Sequence, residues 1–134
     1  MNFTITANAT PENQGSINLK SAVVPFGISK ETAATLSSPA DIYLSALAAC
    51  ILKNIERFSG MMKFQYDQAS IKVTAAHFLK PSRLESIVYE VLLVSKEDTI
   101  NTALLKRNLE KYGTIYFMIA QSCDISGEVI HKKE

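Results

Sequence analysis

The sequence predicts an α+β fold, and three observations carry that prediction. A long amphipathic helix opens at Ser38-Pro39-Ala40-Asp41, alternating strand-like segments flank it on both sides, and a later helical stretch precedes a last strand. In chain order, Phe3-Thr4-Ile5-Thr6-Ala7 alternates apolar and polar residues as a strand does, and Pro11-Glu12-Asn13-Gln14-Gly15 has the composition of a turn. Ser16-Ile17-Asn18-Leu19-Lys20 alternates again and is the expected hairpin partner, while residues 25–38 read as a loop with room for a short strand. Ser38 then supplies a cap, Pro39 the first helical position and Asp41 the acid of a capping box. Leu44, Leu47, Ile51, Ile55 and Phe58 follow on one face, so a helix is expected over 39–59 with Gly60 as its stop. The small residues Ala46, Ala48 and Ala49 suit close packing.

Residues 69–79 alternate with Ile71, Val73 and Ala75 on one side, Lys80-Pro81-Ser82-Arg83 reads as a turn, and residues 84–95 form a long second strand. Ile87, Tyr89, Val91 and Leu93 face one way and Val88, Leu92 and Val94 the other, which marks that strand as central or covered by a partner subunit. Helical spacing returns over 99–112 through Leu105, Leu109 and Tyr112. Gly113 is expected as a left-handed cap, Thr114 as the cap of a short helix reaching Ser122, and residues 125–131 as the final strand.

With 134 residues and 47% hydrophobic content, the chain is expected to be one domain, 1–134, with a single core; chains near this length bury roughly two thirds of their unfolded surface. Fourteen basic residues against thirteen acidic ones leave no electrostatic footprint for a nucleic-acid partner. The longest apolar-rich stretch, 42–52, is about half a bilayer span, and the first residues lack a leader pattern, so no membrane partner and a cytoplasmic location are expected. Two cysteines, Cys50 and Cys123, make no disulfide framework, and neither they nor the distant His77 and His131 have metal-ligand spacing. No metal or cofactor is expected. Any chemistry falls to a thiol.

The run Ser38-Pro39-Ala40-Asp41-Ile42-Tyr43-Leu44-Ser45-Ala46-Leu47-Ala48-Ala49-Cys50 resembles the helix of the OsmC/Ohr family, the osmotically inducible and organic-hydroperoxide-resistance proteins. The strand pair after the helix and the Glu110-Lys111-Tyr112 helix end agree in order and spacing. The resemblance implies an OsmC-like fold, two β-sheets around a long central helix, in an intertwined homodimer with sites at the subunit interface. It further implies that Cys50 is the peroxidatic cysteine, reducing organic hydroperoxides. The family's resolving cysteine follows a tyrosine at the end of the later helix, where this chain reads Tyr112-Gly113-Thr114. The family's early-strand arginine has no match either, Arg57 being the first arginine, and Ala40 stands at one acidic position while Asp41 matches the broader pattern.

A thiol reacts as the thiolate, which nearby cations favour. Lys53, Asn54 and Arg57 lie three, four and seven residues after Cys50 on one helix face, so either cation is a candidate to replace the missing arginine. The bland alternative is a small buried thiol with both cations in solvent. For Asp41, capping alone is sufficient explanation. Cys123 falls about ten residues past the resolving position and reads as strand-entry packing, and His77 as a sheet residue. Tyr43, Tyr112, Tyr116, Phe117 and Met118 are either the lining of an apolar pocket or plain core and interface. The first function is therefore a thiol peroxidase using Cys50, assisted by Arg57, Lys53 and Asp41, with an external thiol as reductant. The alternative is a catalytically degenerate OsmC-like dimer that binds a small lipophilic ligand. A hot-dog thioesterase ranks last, because nothing at the helix start beyond Asp41 supports it.

Overall fold

A computed structural model describes all residues, 1–134. The chain divides into two units, Met1–Tyr43 and Leu44–Glu134. The first holds an antiparallel sheet of β1 (Thr6–Ala9), β2 (Gln14–Asn18) and β3 (Val23–Gly27), in that order, then a one-turn helix, α1 (Lys30–Ala33). The early strands thus differ from expectation. The first starts at Thr6 rather than Phe3, and the second takes in Gln14 and Gly15, because the pairs Thr6↔Asn18 and Ala9↔Gly15 set the register. The expected 25–38 loop contains most of β3, and also α1, whose capping box joins Ser29 and Thr32. This unit has little core of its own: Phe3 and Val23 are 85% and 63% exposed.

The helix α2 (Pro39–Met62) begins where the sequence places it. Ser38 Oγ accepts from the Asp41 amide at 3.1 Å while the Asp41 carboxylate accepts from the Ser38 amide at 2.9 Å, a reciprocal capping box. Its end is a correction: Gly60 does not stop it. The helix runs to Met62, Lys63 takes the left-handed conformation at φ 58°, and the Phe64 amide reaches back to the Ser59 carbonyl at 3.0 Å. That pairing is a Schellman ending, made here without glycine.

The second sheet has the order β4 (Gln68–Leu79), β5 (Ser82–Ser95), β6 (Ile125–Lys133). β4 and β5 form an antiparallel hairpin closing at the Leu79↔Ser82 pair, so the turn is tighter than the expected four residues. β6 lies parallel to β5, which forces a crossover through α3 (Thr102–Tyr112) and α4 (Thr114–Ala120). The central place expected for residues 84–95 is therefore correct. Ile87, Tyr89, Val91 and Leu93 are buried, while Val88 and Leu92 on the opposite face are exposed. With Leu47, Ile51, Ile55 and Phe58 of α2, and Leu105 and Leu109 of α3, they make the core of the second unit. α3 starts at Thr102 rather than 99, because Asn101 caps it by accepting from the Leu104 amide. No helix is long and apolar enough to cross a membrane.

Candidate active site around Cys50

Cys50 lies on α2, one turn past buried Leu47, and is half-buried. Its backbone carbonyl accepts from the Asn54 side-chain amide at 2.9 Å, and the same amide nitrogen stands 3.7 Å from Sγ. Asn54 is thus the one side chain that offers a hydrogen to the sulfur.

The other wall is Gly113. In place of the expected left-handed cap, its backbone is extended, with φ −78° and ψ 119°, and it joins α3 directly to α4. Its amide donates to the Leu109 carbonyl, and its own carbonyl accepts from the Phe117 amide. Thr114 caps nothing: Gly113 holds the N-cap position, with no side-chain bond. Glycine is needed here for space rather than for φ. A Cβ at this position would lie 2.9 Å from Leu109 O, 3.2 Å from Tyr116 Cβ and 3.3 Å from Cys50 Sγ. The residue in the resolving position of the family pattern therefore does pack against Cys50, but without a thiol.

The sequence-predicted partners are dispersed. Arg57 rests its guanidinium over the rings of Phe58 and Tyr112, at 5.1 and 5.9 Å from their centroids, and those two rings are 5.8 Å apart. It thereby reaches the residue preceding Gly113. Lys53 is exposed. Asp41 stays at the helix start, where the Ser38 amide and then the Ser38 hydroxyl hold its carboxyl below the usual range. Cys123 places its thiol 3.8 Å from the Ile119 carbonyl, and His77 meets Ser82 at 3.0 Å in the β4–β5 hairpin. Of the aromatic candidates, Tyr116 is core, whereas Tyr112, Phe117 and Met118 are exposed. A cavity of about 390 Å³ lies at the α2 end, among Met61, Phe64, Ile100 and Leu104, and Cys50 does not line it.

One network has no counterpart in the sequence patterns. Glu110, a turn before Gly113, accepts from the Tyr89 hydroxyl at 3.0 Å and from Lys106 Nζ at 2.9 Å. Burial, then the Glu110 charge, then the bond to it keep Tyr89 protonated far above the ordinary tyrosine range, and the same three causes act on Tyr116. The two tyrosine rings meet edge to face at 6.2 Å. Only the Lys106–Glu110 spacing, an i,i+4 pair, is visible in sequence.

No protein-family model and no curated protein matches the chain. Solved structures do. An OsmC-like protein from Mycoplasma pneumoniae is 17% identical with a TM-score of 0.84, over 98% of this chain and 97% of that one. The organic hydroperoxide resistance protein OsmC from Legionella pneumophila is 14% identical with a TM-score of 0.73, over 95% and 96%. The organic hydroperoxide resistance protein OhrB of Bacillus subtilis is 17% identical with a TM-score of 0.65, over 96% and 98%. Agreement along the whole length, with Cys50 on the long helix and Gly113 packed against it, gives this protein the OsmC-like fold.

Proposed function

We propose that this protein is a peroxidase of the OsmC/Ohr kind, reducing organic hydroperoxides through Cys50 with an external thiol as reductant. The observation that carries the proposal is the setting of Cys50: half-buried on the long helix, with the Asn54 amide 3.7 Å from Sγ and Gly113 against it. The Cys50 thiolate attacks the distal peroxide oxygen, the O–O bond breaks, and the alkoxide takes a proton and leaves as the alcohol. Cys50 is left as the sulfenic acid. An external thiol then forms a disulfide with Cys50 and releases water, and a second thiol displaces Cys50 and carries off the disulfide. Arg57, held over the rings of Phe58 and Tyr112, and exposed Lys53 are the cations on this helix face left as candidates to assist the step.

The working form is a homodimer. The exposed apolar residues of the first unit, Phe3, Ile5, Leu19 and Val23, support it, since obligate interfaces bury on the order of 2,000 Å² or more. Light scattering at low micromolar concentration should return twice the chain mass. Consumption of an alkyl hydroperoxide with a dithiol reductant tests the chemistry. Cys50→Ser should abolish it and Cys123→Ser should preserve it, while Arg57→Met should slow it by up to roughly tenfold, the equivalent of about 1.4 kcal/mol in the barrier. Wild-type turnover no greater than that of Cys50→Ser would replace the enzyme with the ligand-binding dimer.

A further inference from the structure

Resting on that same assignment of Cys50 as the reactive thiol, we propose that Glu110 is a positioning residue, which ties the α3–α4 joint to β5 and so holds the Gly113 backbone against the sulfur. The joint is a single extended residue between two helices, bonded to α3 through its amide and to α4 through its carbonyl. It is also braced from outside. On one flank, Tyr112 stacks with Phe58 and carries Arg57, which anchors the joint to α2. On the other, Tyr116 meets the ring of Tyr89 edge to face, and the Tyr89 hydroxyl donates to Glu110, one turn before the joint.

Tyr89 is fully buried on the central strand, and its ring lies over Gly127 of β6, where a Cβ would come within 2.4 Å of it. The ring cannot move toward the sheet. Glu110 is therefore fastened to a well-held ring, against which Tyr116 packs edge to face. Tyr116 Cβ and Cys50 Sγ are the two side-chain atoms that bound the space at Gly113. Drift of Tyr116 moves one wall of the thiol's surroundings. Lys106 completes the set on the solvent side, compensating the carboxylate charge.

The two thiols of the chain provide the test, because Cys123 lies at the entry to β6 and reports general loosening while Cys50 reports the joint. Iodoacetamide labelling of the native protein, followed peptide by peptide by mass spectrometry across pH, measures both rates without needing peroxide turnover. Glu110→Leu removes the acceptor of the Tyr89 hydroxyl and should speed Cys50 labelling by about tenfold, with Cys123 unchanged, since a bond to a charged acceptor is lost locally. Glu110→Gln keeps one accepting oxygen and should stay within about threefold of wild type. If Glu110→Leu does not fold, Tyr89→Phe, which removes only the hydroxyl bonded to Glu110, should still raise the Cys50 rate selectively. Equal acceleration of both thiols, or an unchanged Cys50 rate in Glu110→Leu or, failing that, in Tyr89→Phe, overturns the positioning role. Absence of peroxide consumption with selective labelling intact would instead count against the peroxidase alone.

Discussion

Replacing Gly113 by cysteine puts a second thiol where the glycine now meets Cys50. A Cβ there falls 3.3 Å from Cys50 Sγ, and in a relaxed disulfide the corresponding distance is about 3.0 Å, given an S–S bond of about 2.04 Å. The backbone is already within a few tenths of an ångström of bridging geometry. The obstacle is the Leu109 carbonyl oxygen at 2.9 Å, which has to give way, at a cost of about 1–2 kcal/mol by analogy with mild overpacking. Against this, a bridge closing a loop of about 64 residues removes chain entropy worth about 4 kcal/mol from the unfolded state. The oxidised Gly113→Cys variant should thus be about 4 kcal/mol more stable than its reduced form, which carries the same crowding, or about 14 °C in Tm for a chain of this length. Thermal unfolding with and without a reductant measures the difference, and mass spectrometry of the oxidised digest identifies the bridge. An oxidised variant that pairs the new thiol with Cys123, or remains unbridged, would refute the placement of Gly113 against Cys50.

Two further outcomes follow from other glycines. Gly127→Ala drives a Cβ to 2.4 Å from the buried Tyr89 ring and strains the Tyr89–Glu110 bond, so urea denaturation should show a loss of about 3 kcal/mol, while a loss under about 1 kcal/mol would place the ring elsewhere. Gly60→Ala is the opposite case: the position is helical and exposed and a Cβ meets nothing within 4 Å, so a gain of about 0.4–1 kcal/mol is expected, and a loss would show that this face of α2 is covered.

The parts of this molecule that sequence reveals are those whose periodicity matches a buried face. Leu47, Ile51, Ile55 and Phe58 announce α2, and the two-faced apolar run of residues 84–95 announces a central strand, because each pattern repeats over several turns or pleats. β1 and α1 are blurred for the converse reason: their residues are exposed or half-exposed, and their limits come from pairing register and a Ser29–Thr32 cap. Gly60 misleads because glycine near a helix end usually marks the stop, whereas the Ser59–Phe64 backbone bond carries this helix past it. Within the candidate site, Cys50 is legible from the helix motif and Gly113 from its place in the pattern. Arg57 is not, since a shared helix face leaves open whether its guanidinium turns to the sulfur or, as here, to aromatic rings. Glu110 is least legible of all: its bond to Tyr89 spans 21 residues, and no local pattern records it.

The parallel placement of β6 beside β5 also sets an order of assembly. The β4–β5 hairpin closes locally, but β6 can join only after the segment between Ser95 and Ile125 has folded back over the sheet. Gly113 and Glu110 both lie in that segment. During synthesis, then, the residues of α2 and its thiol are made well before those that wall in the sulfur. A newly made chain carries an unshielded Cys50 through that interval, and oxidants met then find it without its protein surroundings. Supplying a reductant during refolding, and withdrawing it once β6 has docked, should accordingly raise the yield of intact thiol.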